Sequence, residues 1–130
     1  MKKPEAPPRV LIVDDSSLVR LYYRGALERA GFGIEQALNG IEAMEKVSSQ
    51  AFDLVILDVN MPRMDGFSFL RALRRGAPDM AGLPVLVVTT EASEQDVVDA
   101  REAGANFYLV KPVSEADLLR HAAILTGLPQ

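Results

Sequence analysis

Short apolar runs that end in polar or charged side chains constrain the fold of this chain more than any other feature. The clearest run is Leu54–Leu57, which Asp58 follows directly. Uninterrupted apolar runs of this length are typical of strands buried on both faces of a parallel sheet. Amphipathic helical patterns separate the runs. The alternation predicts βαβ units with right-handed crossovers and a three-layer, doubly wound α/β domain with a parallel sheet.

Five strands and five helices are predicted. The strands are Arg9–Val13, Gly33–Leu38 near a sheet edge, Leu54–Asp58, Val85–Thr89 and Asn106–Val110. The helices run from Ser16 or Ser17 to Gly31, from Ile41 to Ser48, from about Phe67 to Arg75, from Ser93 to Gly104 and onward from Ser114. Serine before a helix and glycine after it are favoured capping residues.

Three further predictions concern packing and boundaries. The first helix presents to the sheet a stripe at helical spacing, made of Val19, Tyr22, Tyr23, Ala26, Leu27 and Ala30. Gly76–Pro84 is predicted to be a loop. Residues 1–8, with three prolines among charged residues, are predicted to be a disordered leader, and residues 9–130 to form one domain.

Composition excludes several classes of function. A net charge of −4 over 130 residues argues against a general nucleic-acid or anionic-membrane surface. No apolar run approaches the roughly 20 residues that a membrane span needs. The chain has no cysteine and one histidine, so a metal ion would be bound by oxygen atoms, which favours Mg²⁺, Mn²⁺ or Ca²⁺. We expect a cytoplasmic protein without membrane insertion.

The predicted strand ends bring chemically active side chains together. Asp14, Asp15 and Asp58 follow two strands, and the carboxyl ends of parallel strands meet at one edge of a sheet. Clustered carboxylates repel each other unless a cation or protons intervene, and Mg²⁺ is the natural solution. Thr89 adds a hydroxyl and Lys111 a cation that suits phosphate. This set fits a carboxylate nucleophile that accepts a phosphoryl group.

Taken together, these residues make the chain resemble a receiver domain of bacterial two-component signalling, of the single-domain CheY type. The resemblance covers about Arg9 to Leu125. It implies a flavodoxin-like fold with strand order 2-1-3-4-5, the order found in CheY. It also implies that the protein is a response regulator and not an enzyme, since it catalyses only its own phosphorylation and dephosphorylation.

The resemblance assigns a role to each site residue. Asp58 becomes the phosphoacceptor, and Asp14, Asp15, Asp58 and the backbone carbonyl of Asn60 become the Mg²⁺ ligands, with Asp14 acting directly or through water. Mn²⁺ is a substitute. Thr89 becomes the switch hydroxyl, Lys111 the phosphate-binding lysine and Tyr108 the aromatic switch residue. A cis Lys111–Pro112 bond is expected. Asn60 and Glu91, which flank the site, imply a short-lived phosphoryl group.

The resemblance also implies partners. A sensor histidine kinase or a phosphotransferase would supply the phosphoryl group. An unidentified downstream protein would bind the surface formed by the fourth predicted helix, the fifth strand and the last helix. On that surface we expect Val97, Tyr108, Val110 and His121. No direct contact with nucleic acid is expected. Leu18 and Leu21 are either incidental surface residues or part of a partner-binding face.

Several alternatives stay open. Within the same family, the chain could be a phosphorelay intermediate or a phosphate sink instead of a stand-alone chemotaxis-type regulator. A hydrolase of the haloacid-dehalogenase type also forms an aspartyl phosphate, but it usually needs a second acid where this chain has Asn60. A nucleotide or flavin binder on the same fold would need a glycine-rich phosphate loop, and Asp14-Asp15 occupies that place.

Overall fold

The apolar runs form a parallel sheet in the computed structural model, which describes residues 7–59, 66–90 and 93–127. The strands are β1 (Arg9–Val13), β2 (Gly33–Ala37), β3 (Leu54–Leu57), β4 (Val85–Thr89) and β5 (Phe107–Val110). Their order in the sheet is β2-β1-β3-β4-β5, and every neighbouring pair is parallel. This confirms the predicted fold class and strand order, with β2 at one edge of the sheet.

Helices cover both faces of the sheet. They are α1 (Ser17–Arg29), α2 (Gly40–Ser49), α3 (Gly66–Arg74), α4 (Pro78–Ala81), α5 (Glu94–Ala103) and α6 (Glu115–Thr126). Side chains alternate between the two faces of a strand, so Leu11 and Val13 of β1 pack with α2 and α3, whereas Val10 and Ile12 pack with α1 and α6. The result is three layers around a sheet whose central strands are almost fully buried.

Local sequence signals explain the helix ends. Ser16, and not Ser17, caps α1, because its side chain accepts a hydrogen bond from the backbone N–H of Val19. Ser93 begins α5 in a reciprocal capping box with Asp96, and Ser114 caps α6. Gly104 ends α5 with a left-handed backbone, φ +114°, which glycine adopts readily. These caps agree with the predicted boundaries.

Some details differ from the predictions. The predicted loop Gly76–Pro84 contains α4, whose four residues begin with proline, a residue favoured in the first turn. The predicted fourth and last helices are therefore α5 and α6. In the α1 stripe Tyr23, Ala26 and Leu27 are buried, but Tyr22 and Ala30 are exposed. Helical spacing allows a broad stripe, and the packing of α1 on the sheet covers only part of it.

Residues 1–6 of the predicted leader lie outside the described residues, and the Pro8 carbonyl accepts a hydrogen bond from the Gly33 N–H at 2.9 Å. Among the residues that the structure describes, no helix has the length and apolarity needed to cross a membrane.

Gly66, at the start of α3, approaches the chain that leaves β3 so closely that a larger residue would not fit. A Cβ atom at Gly66 would lie 2.4 Å from the Val59 Cα and 2.7 Å from the Asp58 carbonyl oxygen. We expect Gly66→Ala to lower the free energy of unfolding in urea by about 1–3 kcal/mol, because backbone must shift to relieve the contact.

Gly82→Ala is the matched control for this prediction. A Cβ atom at Gly82 would lie 3.5 Å from the Pro78 carbonyl oxygen, which is an ordinary contact. We expect its stability to change by no more than about 0.5 kcal/mol. Equal effects of the two substitutions would contradict the steric explanation.

Candidate functional site

Two buried carboxylates stand side by side where β1 and β3 end. Val13 of β1 is in register with Leu57 of β3, and the backbone N–H of Asp58 donates to the Val13 carbonyl at 2.9 Å. Asp14 and Asp58, the next residues of the two strands, are 2% and 5% exposed. The sheet therefore holds two acids at the edge of its core, as the strand ends predicted.

Asp15 completes an acidic cluster. The three residues Asp14, Asp15 and Asp58 each offer a carboxylate oxygen, and these atoms lie within 4.8 Å of one another. Asp15 is exposed, whereas the other two are buried. Three carboxylates at this spacing repel each other in the absence of a cation. Oxygen atoms are the ligands that Mg²⁺ prefers, so this donor set fits the expected metal.

Lys111 brings a positive charge into the cluster. Its Nζ lies 3.0 Å from Asp14 Oδ2 and 3.7 Å from Asp58 Oδ2, and its side chain is 19% exposed. The backbone N–H of Lys111 donates to the Thr89 carbonyl at 2.7 Å, which continues the pairing of β5 with β4. The Lys111–Pro112 peptide bond is cis, as expected. The lysine thus points inward and partly offsets the acidic charge.

Both carboxylate oxygens of Asp14 and its backbone carbonyl oxygen accept hydrogen bonds. Its Oδ1 accepts from the backbone N–H of Ser16 at 2.9 Å, and its Oδ2 accepts from Lys111. Its carbonyl oxygen accepts from Arg20 Nη1 at 2.6 Å, while Arg20 Nε donates to Gln36 Oε1 at 3.1 Å. Sequence reasoning missed Arg20, because an arginine in the first turns of an amphipathic helix usually faces solvent.

The remaining predicted residues lie at the same edge of the sheet or next to it. Thr89 is the last residue of β4 and is fully buried. Tyr108 of β5 is half-buried and packs against the core on the α3 side of the sheet. Asn60 and Glu91 lie outside the described residues. Most of the predicted site therefore comes together at the strand ends.

The sequence predicted that Tyr23 of α1 packs on the sheet, but not that it lies near the acidic residues of the site. Burial raises the pKa of its phenol, and the nearby carboxylates of Asp14 and Asp58 raise it further. The phenol therefore stays protonated behind the acidic cluster. Tyr23 lines a cavity of about 470 Å³ that is also bordered by Leu18 and Lys111. The exposed Leu18 thus lies beside the site, whereas Leu21, which is also exposed, does not line this cavity.

The predicted partner surface is partly apolar. Val110 is 42% exposed and Phe107 is 46% exposed on the edge strand β5. His121 of α6 is half-buried, and its ring meets that of Phe107 edge-on with centroids 4.7 Å apart. Val97 of α5 and Tyr108 line a cavity of about 300 Å³ between α5 and β5. All four predicted residues thus belong to α5, β5 or α6 and are at least partly accessible.

Comparison with known proteins decides the family. The model of the response regulator receiver domain matches residues 10–123. The chain belongs to this family. It is 41% identical to response regulator MprA of Mycobacterium sp. (strain KMS) over 87% of this chain and 48% of that protein. The chain spans about half or less of the length of the curated relatives that it matches.

Solved receiver structures agree over nearly their whole length. The chemotaxis response regulator CheY4 of Vibrio cholerae superimposes with a TM-score of 0.86 and 37% identity, over 92% of this chain and 98% of that one. The receiver domain of sensor histidine kinase PA1611 from Pseudomonas aeruginosa PAO1 superimposes with a TM-score of 0.86 and 27% identity, over 94% of this chain and 99% of that one. The latter structure has a magnesium ion coordinated in its active-site cleft.

Membership of the family has general consequences. Receiver domains are signalling proteins that accept a phosphoryl group and bind Mg²⁺ in an acidic pocket. They interact with histidine kinases or phosphotransferases and with downstream targets. Membership therefore favours the receiver over the hydrolase and the nucleotide binder that the residues alone left open.

The clustered charges predict an unusual effect of neutralising Asp58. Among the residues that the structure describes, Asp58→Asn removes repulsion with two carboxylates and attraction to one lysine, so we expect a favourable net change when no metal is bound. We expect the free energy of unfolding to rise by about 1 kcal/mol, below the Coulomb energy of ~4 kcal/mol for one close pair at a protein surface. Urea unfolding in EDTA at low ionic strength measures it.

A surface carboxylate provides the control for this experiment. Glu102 is exposed on α5 and is not a member of the acidic cluster, and Glu102→Gln removes the same charge. Its stability should change by no more than about 0.5 kcal/mol. Added Mg²⁺ should stabilise the wild type and the control more than Asp58→Asn, because the variant lacks one ligand. If Asp58→Asn were less stable than the wild type in EDTA, that result would contradict the repulsion between Asp58 and the other two carboxylates.

Proposed function

We propose that this protein is a response regulator that accepts a phosphoryl group on Asp58 from a sensor histidine kinase or a phosphotransferase. One observation carries the proposal: a buried Asp58 lies at the rim of the sheet within one cluster with Asp14, Asp15 and the Lys111 ammonium. Residues 9–130 would form the receiver. We also propose a cytoplasmic location, where such kinases present their phosphohistidine.

The reaction is a displacement at phosphorus. A carboxylate oxygen of Asp58 forms a bond to the phosphorus, and the P–N bond of the donor phosphohistidine breaks. Its electron pair stays on the imidazole nitrogen, which takes up a proton. Asp14, Asp15, Asp58 and the backbone carbonyl of Asn60 would hold Mg²⁺ or Mn²⁺. When bound, the metal supplies positive charge to the carboxylate and phosphoryl oxygens.

Lys111 and Thr89 would bind the transferred group. The Lys111 Nζ already contacts the Asp58 carboxylate, so it is placed to donate to a phosphoryl oxygen on that residue. Thr89 ends the neighbouring strand and would supply its hydroxyl to another oxygen. Thr89 is the last residue of β4, and Lys111 directly follows β5. The two residues would therefore connect the phosphoryl group with the surface formed by α5, β5 and α6, which we call the output surface.

Signalling would follow from a shift between two states. The phosphoryl group must bind the active state better than the inactive state, because only differential binding moves an equilibrium. In our proposal Thr89 moves toward the phosphoryl group and Tyr108 turns into the space that it leaves. The half-buried position of Tyr108 beside the cavity under α5 supports this role. The output surface would then bind a downstream protein.

We propose a stand-alone, chemotaxis-type regulator with output through protein contacts as the first candidate. The similarity to chemotaxis response regulator CheY4, which extends over 98% of that chain, supports it. A phosphorelay intermediate or phosphate sink is the second candidate. Its support is the similarity to a receiver domain of a sensor histidine kinase at an equal TM-score.

Phosphorylation by a small donor tests the chemistry. With acetyl phosphate and Mg²⁺, we expect intact mass to show one labile phosphoryl group on the wild type and none on Asp58→Asn, which lacks the nucleophilic oxygen. Omission of Mg²⁺ should abolish the adduct, because the charge at the site is then not neutralised. An adduct of equal yield on Asp58→Asn would overturn the assignment of Asp58.

A capture experiment separates the two candidates. The protein is immobilised with Mg²⁺, with and without beryllofluoride as a stable phosphoryl mimic, and exposed to a lysate of its source. A regulator should gain a partner in the presence of the mimic, and Val110→Lys on the output surface should lose that partner while still accepting a phosphoryl group. A relay protein should retain only kinases and phosphotransferases in both states.

A further inference from the structure

Arg74 near the end of α3 joins four segments of the chain through its guanidinium. Its Nε and Nη2 both donate to the Gly104 carbonyl, at 3.0 and 2.7 Å. Its Nη1 donates to the carbonyl oxygens of Ala81 and Leu83, at 3.0 and 2.6 Å. Its Nη2 also donates to Asn106 Oδ1 at 2.8 Å. Only an arginine fork can serve acceptors in so many directions.

The end of α5 is shaped to receive this side chain. Gly104 has φ +114°, and a Cβ atom there would lie 2.7 Å from Arg74 Cγ and 2.8 Å from Arg74 Nε. Asn106 Oδ1 also accepts from the backbone N–H of Val85 at 2.8 Å. The contact with Arg74 therefore fixes the turn from α5 into β5 against both α3 and the start of β4. Burial lowers the pKa of the Arg74 guanidinium, in keeping with its enclosure.

The two halves of α5 are held very differently. Its buried residues, Ala100 and Ala103, both lie in the C-terminal half. Residues 94–99 are exposed or half-buried, and the capping box at Ser93 is a local contact within the helix end. The cavity of about 300 Å³ beside β5 is lined by both halves of the helix, by Val97 in the first half and by Ala100 and Arg101 in the second. Segments with few buried contacts open at the lowest cost in free energy.

We infer that Arg74 is a pivot: it fixes Gly104 and the start of β5, so that α5 responds to the state of Asp58 by moving its N-terminal half about that point. Arg74 is thus a positioning residue that acts through Gly104 and Asn106 and does not touch the reacting groups. The inference rests on the proposed function, because it concerns how the output surface changes on phosphorylation. The alternative is that α5 shifts as one rigid body.

Residue-resolved amide hydrogen exchange, followed by NMR in Mg²⁺ with and without beryllofluoride, tests the pivot. In the wild type we expect the mimic to change exchange at residues 95–99 by about fivefold or more, the lower range of typical coupling between sites. Exchange at residues 102–106 should change by less than about twofold. In Arg74→Gln the response should extend through residues 102–106. Arg74→Lys should behave in the same way, because lysine keeps the charge but loses the fork.

Two control variants separate a pivot from a general loss of stability. Arg75 is the neighbouring exposed arginine, so Arg75→Gln should leave the wild-type pattern unchanged. Ser93→Ala removes the cap of α5 and should raise exchange at residues 95–99 alone. If Arg74 only stabilised the fold, Arg74→Gln would raise exchange in all elements alike and the response to the mimic would keep its wild-type extent.

The outcomes are distinct. A response of equal size at both ends of wild-type α5 would overturn the pivot and leave the proposed phosphoryl transfer intact. A wild-type pattern in Arg74→Gln would overturn the role of Arg74. The absence of any response in α5, with beryllofluoride shown to be bound by ¹⁹F NMR, would overturn both the pivot and the proposed switch. Labelling with acetyl phosphate would still test separately whether Asp58 is the phosphoacceptor.

Discussion

The structure of the site depends on a forced proximity of like charges. Pairing of β1 with β3 brings Asp14 beside Asp58, and both side chains are almost completely buried. Such an arrangement is unfavourable unless positive charge is close at hand. The Lys111 Nζ supplies it from a residue 97 positions away from Asp14 in the sequence. The positive charge therefore reaches the acidic cluster through the pairing of β5 with β4, which places Lys111 at this edge of the sheet.

This dependence also explains how a change of charge could reach the surface. Lys111 follows β5 directly, and its backbone N–H bonds to Thr89 at the end of β4. A phosphoryl group on Asp58 would add acceptor oxygens beside both residues and so alter the forces on these two strand ends. The centre of the sheet is fully packed and resists compression. Under the proposed function, the strand ends and α5 are therefore the parts that yield.

The sequence predicted the features that have local causes. Continuous apolar runs mark the buried strands, and Ser93 and Ser114 mark helix starts because a cap needs only neighbouring backbone. The strand order came from the resemblance to a family and not from any pattern in the residues. The short helix α4 escaped prediction, since four residues cannot display a helical period.

Non-local contacts set the limit of prediction. Arg20 and Arg74 look like ordinary surface residues of amphipathic helices. Arg20, however, donates to the Asp14 carbonyl and to Gln36 Oε1 of β2, and Arg74 donates to the Gly104 carbonyl at the end of α5. Tyr22 and Tyr23 both belong to the predicted buried stripe. Only Tyr23 is buried, in the core cluster that α1 and α6 form on one face of the sheet. The identity of a side chain does not reveal which carbonyl will come within its reach. Only the assembled layers decide that.

The edge strand β5 shows how these contacts limit the switch. At its start, the backbone N–H of Asn106 donates to the Val85 carbonyl and its side chain accepts from Arg74. At its end, Lys111 is bound to Thr89 and to the acidic cluster. A strand of four residues that is fastened at both ends has no freedom to slide along its neighbour. Under the proposed function, a signal that passes through β5 would therefore travel by rotation of side chains such as Tyr108, and by movement of the less buried half of α5 beside it.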